Sequence, residues 1–170
     1  MNYVPNIVTL LNLTLGALSI IYTIGNDYRT AAILILAAVI MDGMDGRVAR
    51  KLNVSSEFGK ELDSLCDLVS FGVAPSVLVW AMNPLLGIAY GRLITILVSL
   101  MFILCGAYRL ARFNVINLKD SFVGVPITFA GGLIGLLCLV WPGASAWVFY
   151  IGLIVLSGLM VSKISIPKIK

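Results

Sequence analysis

Asp42, Asp45, Gly46, Ala49 and Arg50 stand at i, i+3, i+4, i+7 and i+8, and Gly59, Asp63 and Asp67 stand at i, i+4 and i+8. At helical pitch each set lines one face, so two helices can aim four aspartates at one point. The flanking sequence is strongly apolar, and isolated carboxylates are costly to bury there. Divalent cations are the economical counter-charge, and ionisable groups in such surroundings mark functional sites by default. The chain contains no histidine, which removes the commonest general base and the commonest transition-metal ligand. An oxygen-only donor set suits Mg2+, Mn2+ or Ca2+ better than zinc or copper. Two such ions on four aspartates would bind a diphosphate between them and stabilise both the attacking and the leaving oxygen, which is phosphoryl-transfer chemistry. Gly46 and Ala49 keep bulk off the same face, and Arg50, one turn beyond Gly46, can hold a phosphate oxygen. The same acids would also suit an ion pathway or proton relay, or pairing with Arg47, Arg50 and Lys60.

The elements that must position these residues are membrane helices. Of 170 residues, 60% are hydrophobic and 12% charged, with a mean hydropathy of +1.04, a composition too apolar for an ordinary soluble domain. A spanning helix takes about 20 predominantly apolar residues. Six stretches qualify, at about 5–25, 29–50, 60–82, 92–113, 124–141 and 145–163. The first has no basic leader and no small-residue cleavage site, so it reads as retained structure. With no repeat, low-complexity run or soluble extension in view, the expectation is one all-α polytopic membrane domain over residues 1–170 with six transmembrane helices.

Basic residues orient it. Arg47, Arg50, Lys51 and Lys60 flank the second connection, Arg109, Arg112 and Lys119 the fourth, and Lys163, Lys168 and Lys170 lie in the tail, whereas Arg29 and Arg92 alone fall opposite. The positive-inside rule then places both termini and the aspartates at the cytoplasmic side of the cell membrane, with the site in an intramembrane cavity facing the cytoplasm. The net charge of +4 is chiefly this topology signal, with attraction for anionic membrane lipids as a second role. No nucleic-acid partner is expected, because no soluble basic domain is there to carry one. Cys66, Cys105 and Cys138 lack metal-ligand spacing and read as apolar packing.

Lesser signals lie around the aspartates. Asn6, Thr9 and Asn12 recur at steps of three along the first helix, a face suited either to interhelical hydrogen bonds or to a ligand. Gly25-Asn26-Asp27-Tyr28 reads as a turn, Pro75 with Gly72 nearby as a kink in the third span, and Gly131, Gly132 and Gly135 as a close helix contact.

The run Asp42-x-x-Asp45-Gly46-x-x-Ala49-Arg50, eight residues, Gly59, three residues, Asp63, three residues, Asp67 resembles the complete signature of the CDP-alcohol phosphotransferase family. The resemblance implies that Asp42, Asp45, Asp63 and Asp67 hold a dinuclear centre of Mg2+ or Mn2+, with Ca2+ as a conceivable occupant. It further implies that Asp67 is the general base on the acceptor alcohol, and that Gly46, Ala49 and Arg50 contact the CDP moiety. Asn6 and Thr9 become candidate cytidine or phosphate contacts once the family is granted.

Segments outside the signature, Pro5 to Asn12, Ser64 to Pro75, Tyr108 to Asn114 and Phe122 to Pro126, are similar to the membrane-embedded phosphatidylserine synthases of that family. That likeness implies CDP-diacylglycerol and L-serine as substrates and a homodimer as the assembly. Arg109 and Arg112, at i, i+3 on one helical face, are candidates for the serine carboxylate; positive-inside anchoring is the alternative. The rival acceptors are glycerol 3-phosphate and an inositol phosphate. Outside the family, the rivals are membrane prenyltransferases, which show denser aspartate clusters, and a divalent cation carrier, whose acids should recur on several helices. Here six of the eight acidic residues crowd between positions 42 and 67.

Overall fold

The computed structural model describes residues 4–52, 56–82, 89–115, 121–162 and 165–167, with the backbone alone for 4–5, 45–52, 89, 121–123 and 165–167. Helix α1 (Val4–Ile24) is followed by α2 (Tyr28–Leu52) and by a continuous rod made of α3 (Glu57–Asp67), a π-helical segment (Leu68–Val73) and α4 (Ala74–Met82). Then come α5 (Ala89–Val115), strand β1 (Ser121–Val123), α6 (Ile127–Val140), α7 (Ala146–Val161) and strand β2 (Ser165–Pro167). The six helical runs fall on the six apolar stretches.

The turn between α1 and α2 follows from its residues. Asn26 takes a left-handed φ of 62°, and its N–H bonds the Thr23 carbonyl while that of Asp27 bonds the Tyr22 carbonyl, both at 3.0 Å. This is a Schellman close, which satisfies the carbonyls that a helix end leaves open. Asp27 then caps α2 by accepting the Thr30 N–H at 3.1 Å. The hydrogen bonds from Thr30 hold its carboxyl below the usual carboxylate range. Helix α3 begins in the same manner, with Ser56 Oγ accepting the Gly59 N–H at 3.0 Å.

Proline 75 has no N–H to donate, and the rod absorbs that loss by widening. The Ala74 N–H reaches back five residues to the Val69 carbonyl, and Ser76 Oγ donates to the Gly72 carbonyl at 2.7 Å. The expected kink is thus a π-helical bulge that begins directly after Asp67.

Two further departures concern α6 and the ends of the fold. The fifth span was expected to be helical from residue 124, but α6 starts at Ile127. Gly124 has φ +79° and Pro126 is extended at φ −59°, ψ 141°. The Val125 N–H goes to the Leu159 carbonyl at 3.2 Å, so this approach segment lies along the end of α7. Beside it β1 and β2 pair antiparallel, Phe122 opposite Ile166, a small ladder in an otherwise all-helical fold. Two strands of three residues are invisible to hydropathy because their pairing is non-local.

Helix α1 packs on α2 and the rod, α2 on α6, and α5 on α7. Small residues bring α2 and α6 together: Ala31, Ala32 and Ala38 are fully buried, and a Cβ on Gly135 would stand 2.9 Å from Ile35 Cγ2. Phe71, Leu78, Phe102, Ile127 and Leu153 fill the centre. Among the described residues, Asn6–Ile24, Glu57–Met82 and Tyr90–Val115 are helical runs long and apolar enough to cross a membrane. Helices α6 and α7, at 14 and 16 residues, are apolar and shorter. Ile7, Ile21, Leu97, Leu104, Leu133 and Ile154 point outward, a surface no water-soluble monomer carries on this scale. The protein is an integral membrane protein.

Candidate active site

Asp42 lies on α2, and Asp63 and Asp67 lie one turn apart on α3. Each offers a carboxylate oxygen, and the three oxygens lie within 4.8 Å of one another. Asp67 is buried, while Asp42 and Asp63 are half-buried. The i, i+4 spacing brought Asp63 and Asp67 to one face, and the packing of α1 against both α2 and the rod brings Asp42 to meet them. Three hard oxygen donors converging in a low-dielectric setting fit a divalent cation; among the described residues no cysteine joins the group, and the chain has no histidine. Asp45, Gly46, Ala49 and Arg50 continue along α2, but their side chains lie outside the described residues.

Helix α1 closes one side. Asn12 is 1% exposed, and its Nδ2 donates to Asp67 Oδ1 at 3.3 Å. Its backbone carbonyl accepts from Ser70 Oγ at 3.0 Å, where Gly16 lies directly against Ser70. Thr9 is also buried, and Asn6 Oδ1 lies 3.5 Å from where a Cβ on Gly59 would be. The polar face of α1 is therefore turned to α3. Gly59 of the signature has a local reason: its bare Cα fits between the Ser56 cap and Asn6.

Helix α5 closes another side. It runs on to Val115, so Arg109, Arg112 and Asn114 project from the helix itself and not from a loop after it. Arg109 is buried, its Nε has no hydrogen-bond partner among the described residues, and its charge acts on Asp67. Its guanidinium stands over Phe113, 5.5 Å from the ring centroid. Arg112 donates through its two terminal nitrogens to the carbonyls of Val161 and Ser162, at 3.1 and 3.2 Å, which closes the C-terminal end of α7. Asn114 Nδ2 donates to Glu61 Oε1 at 3.2 Å and to Ser64 Oγ at 3.0 Å, tying the end of α5 to α3.

The CDP-alcohol phosphatidyltransferase family model matches residues 2–158. The chain belongs to this family. It is 42% identical to a CDP-diacylglycerol–serine O-phosphatidyltransferase of Helicobacter pylori strain J99, covering 98% of this chain and 72% of that one. It is 39% identical to the Bacillus subtilis protein of the same name, covering 100% of this chain and 93% of that one. An archaetidylserine synthase of Methanothermobacter thermautotrophicus is 38% identical over 97% of this chain and 70% of its own.

In this CDP-alcohol phosphatidyltransferase, three features of the site had weak or no sequence signals. Asn12 was signalled by its three-residue step from Asn6 and Thr9 and by its place in the Pro5 to Asn12 segment, neither of which pointed to Asp67. Ser70 and the junction of Asn114 with Glu61 and Ser64 carried no spacing signal, because each is made between residues some fifty positions apart.

Proposed function

We propose that this CDP-alcohol phosphatidyltransferase transfers the phosphatidyl group of CDP-diacylglycerol to the hydroxyl of L-serine, giving phosphatidylserine and CMP. The observation that carries the reaction type is the convergence of Asp42, Asp63 and Asp67, one of them buried, on a single point. Near full-length likeness to relatives named for serine supports the acceptor. The serine oxygen bonds the lipid-bearing phosphorus, the bond from that phosphorus to the bridging oxygen of CMP breaks, and the hydroxyl proton passes to Asp67. A serine hydroxyl is a weak nucleophile, so a base within hydrogen-bond reach must take the proton as the bond forms.

Asp42, Asp45, Asp63 and Asp67 would hold two Mg2+ or Mn2+ ions, which supply charge neutralisation for the transferring phosphate and for departing CMP. Asn12 fixes the carboxyl of Asp67 from the α1 side. Gly46, Ala49 and Arg50 on α2, with Asn6 and Thr9 on α1, bind the CDP moiety. The serine carboxylate goes to Arg109, whose buried Nε is a donor in need of an acceptor. Of the two arginines, Arg112 is the weaker candidate because the end of α7 already engages its guanidinium.

The protein is read as one domain with six spans, both termini and the site at the cytoplasmic face of the cell membrane. The six helical runs and the one-sided Lys and Arg distribution support this. The assembly is read as a homodimer on the family resemblance. The test is CMP release by purified protein with CDP-diacylglycerol and Mg2+ or Mn2+, offered serine, glycerol 3-phosphate, an inositol phosphate or no acceptor. Release with serine alone is expected. Release only with a phosphorylated alcohol would move the chain to another branch of the family, and none with any acceptor would point to a cation carrier.

A further inference from the structure

Among the described residues, two buried polar atoms of opposite kind lack hydrogen-bond partners: the acceptor Oδ1 of Asn12, the residue that holds Asp67, and the donor Nε of Arg109, whose charge acts on Asp67. Both residues are more than nine-tenths buried, so neither atom is compensated by bulk water, and an unmet buried polar group costs its full desolvation penalty. The Asn12 amide turns its NH2 to Asp67 Oδ1 at 3.3 Å, which leaves the amide oxygen over as an acceptor. The Ser70 bond to the Asn12 carbonyl, with Gly16 against Ser70, pins this turn of α1 and keeps the amide from swinging away.

The leftover oxygen is therefore the other arm of the amide whose NH2 meets the carboxyl proposed as the base. In serine the hydroxyl and the ammonium are on adjacent carbons. A serine whose hydroxyl is bound to Asp67 can bring its ammonium to that oxygen, while its carboxylate turns toward Arg109. Resting on the serine reading, we propose that Asn12 is a specificity-determining residue that receives the α-ammonium of the acceptor on Oδ1 while its Nδ2 holds Asp67. A site built around a buried hydrogen-bond acceptor rejects a substrate lacking the donor, because the acceptor is then left unpaired. This makes the enzyme selective for amino alcohols by an uncharged group, without a further carboxylate that would compete for metal.

The test compares L-serine with 3-hydroxypropionate, which is serine without its amine, as acceptors for the purified full chain with CDP-diacylglycerol and Mg2+. Wild type should prefer serine strongly in kcat/KM. In Asn12→Leu that preference should shrink by roughly 10- to 100-fold, the worth of one hydrogen bond to a charged group. Asn12→Asp retains an acceptor but loses the donor to Asp67, so both rates should fall while the preference is kept. If Asn12→Leu slows the two acceptors by the same factor, Asn12 only positions Asp67 and the proposal fails. If Asn12→Leu yields no turnover, Asn12→Asp decides: a retained preference supports the ammonium contact and a lost one overturns it. A wild type that uses the two acceptors equally also overturns it, with the serine reading left standing. A wild type that ignores serine for another alcohol overturns that reading and this one together.

Discussion

Asp67 meets Asn12 through Oδ1 and offers a carboxylate oxygen to the cluster with Asp42 and Asp63. If it is the base, Asp67→Asn should cut serine-dependent CMP release by roughly 10^2- to 10^4-fold. Binding of CDP-diacylglycerol, read by a radiolabelled-liponucleotide assay, should persist; its loss would assign Asp67 a structural task instead. Arg109 and Arg112 separate in a different way. Arg109→Gln should raise the KM for serine and leave that for the liponucleotide alone. Arg112→Gln should leave both constants alone and lower the melting temperature in detergent, by about 1–3 kcal/mol of stability for the lost charged hydrogen bonds at the end of α7. A serine-specific KM effect at Arg112 would return it to the pocket. In the sequence the two arginines are equivalent, sharing a face and a charge. What divides them is the carbonyl pair of Val161 and Ser162, some fifty residues away.

At the scale of elements, the site depends on how closely three helical layers approach. A Cβ on Gly131 of α6 would meet the backbone of Phe71 in the π segment, and one on Gly16 of α1 would meet Ser70 in that same segment. The bulge is thus held from both sides, one turn after Asp67. Gly131→Ala forces α6 against backbone that cannot rotate away, and should destabilise by about 1–3 kcal/mol. Gly43→Ala, on α2 with nothing within 4 Å of the new methyl, should be neutral or stabilising by up to about 1 kcal/mol. Thermal unfolding of both variants in one detergent checks the contrast, and equal shifts would show that the contact at Gly131 is not tight. Pro75 and Gly72 announced that the third span is irregular. That the irregularity is a widened turn, and that α6 waits until Ile127 to begin, follows from Gly131 and from the Val125 bond to Leu159, contacts between separate elements.

At the scale of the whole molecule, the proposed reading of six crossings expects Lys168 and both termini on one side of the membrane and Arg29 on the other. Cysteines introduced one at a time by Arg29→Cys and Lys168→Cys, with Cys105 replaced by Ser and the buried Cys66 and Cys138 kept, should react with a membrane-impermeant thiol reagent from opposite sides. Lys168→Cys should be labelled from the cytoplasmic side; labelling of both from one side would mean an odd count. The number and place of the helices were legible because hydropathy is summed over a contiguous stretch, and the lipid-facing surface is most of what such a chain shows. The pairing of Asp63 with Asp67, and the family itself, were legible because helical pitch and fixed motif spacing are one-dimensional. Meetings between helices are not. That Asp42 meets Asp63 and Asp67, that Asn12 reaches Asp67, and that Arg109 is buried while Arg112 closes the end of α7 were decided by tertiary packing. Such distances are set by the small residues and buried hydrogen bonds that choose which faces touch, and no spacing within a single helix encodes them.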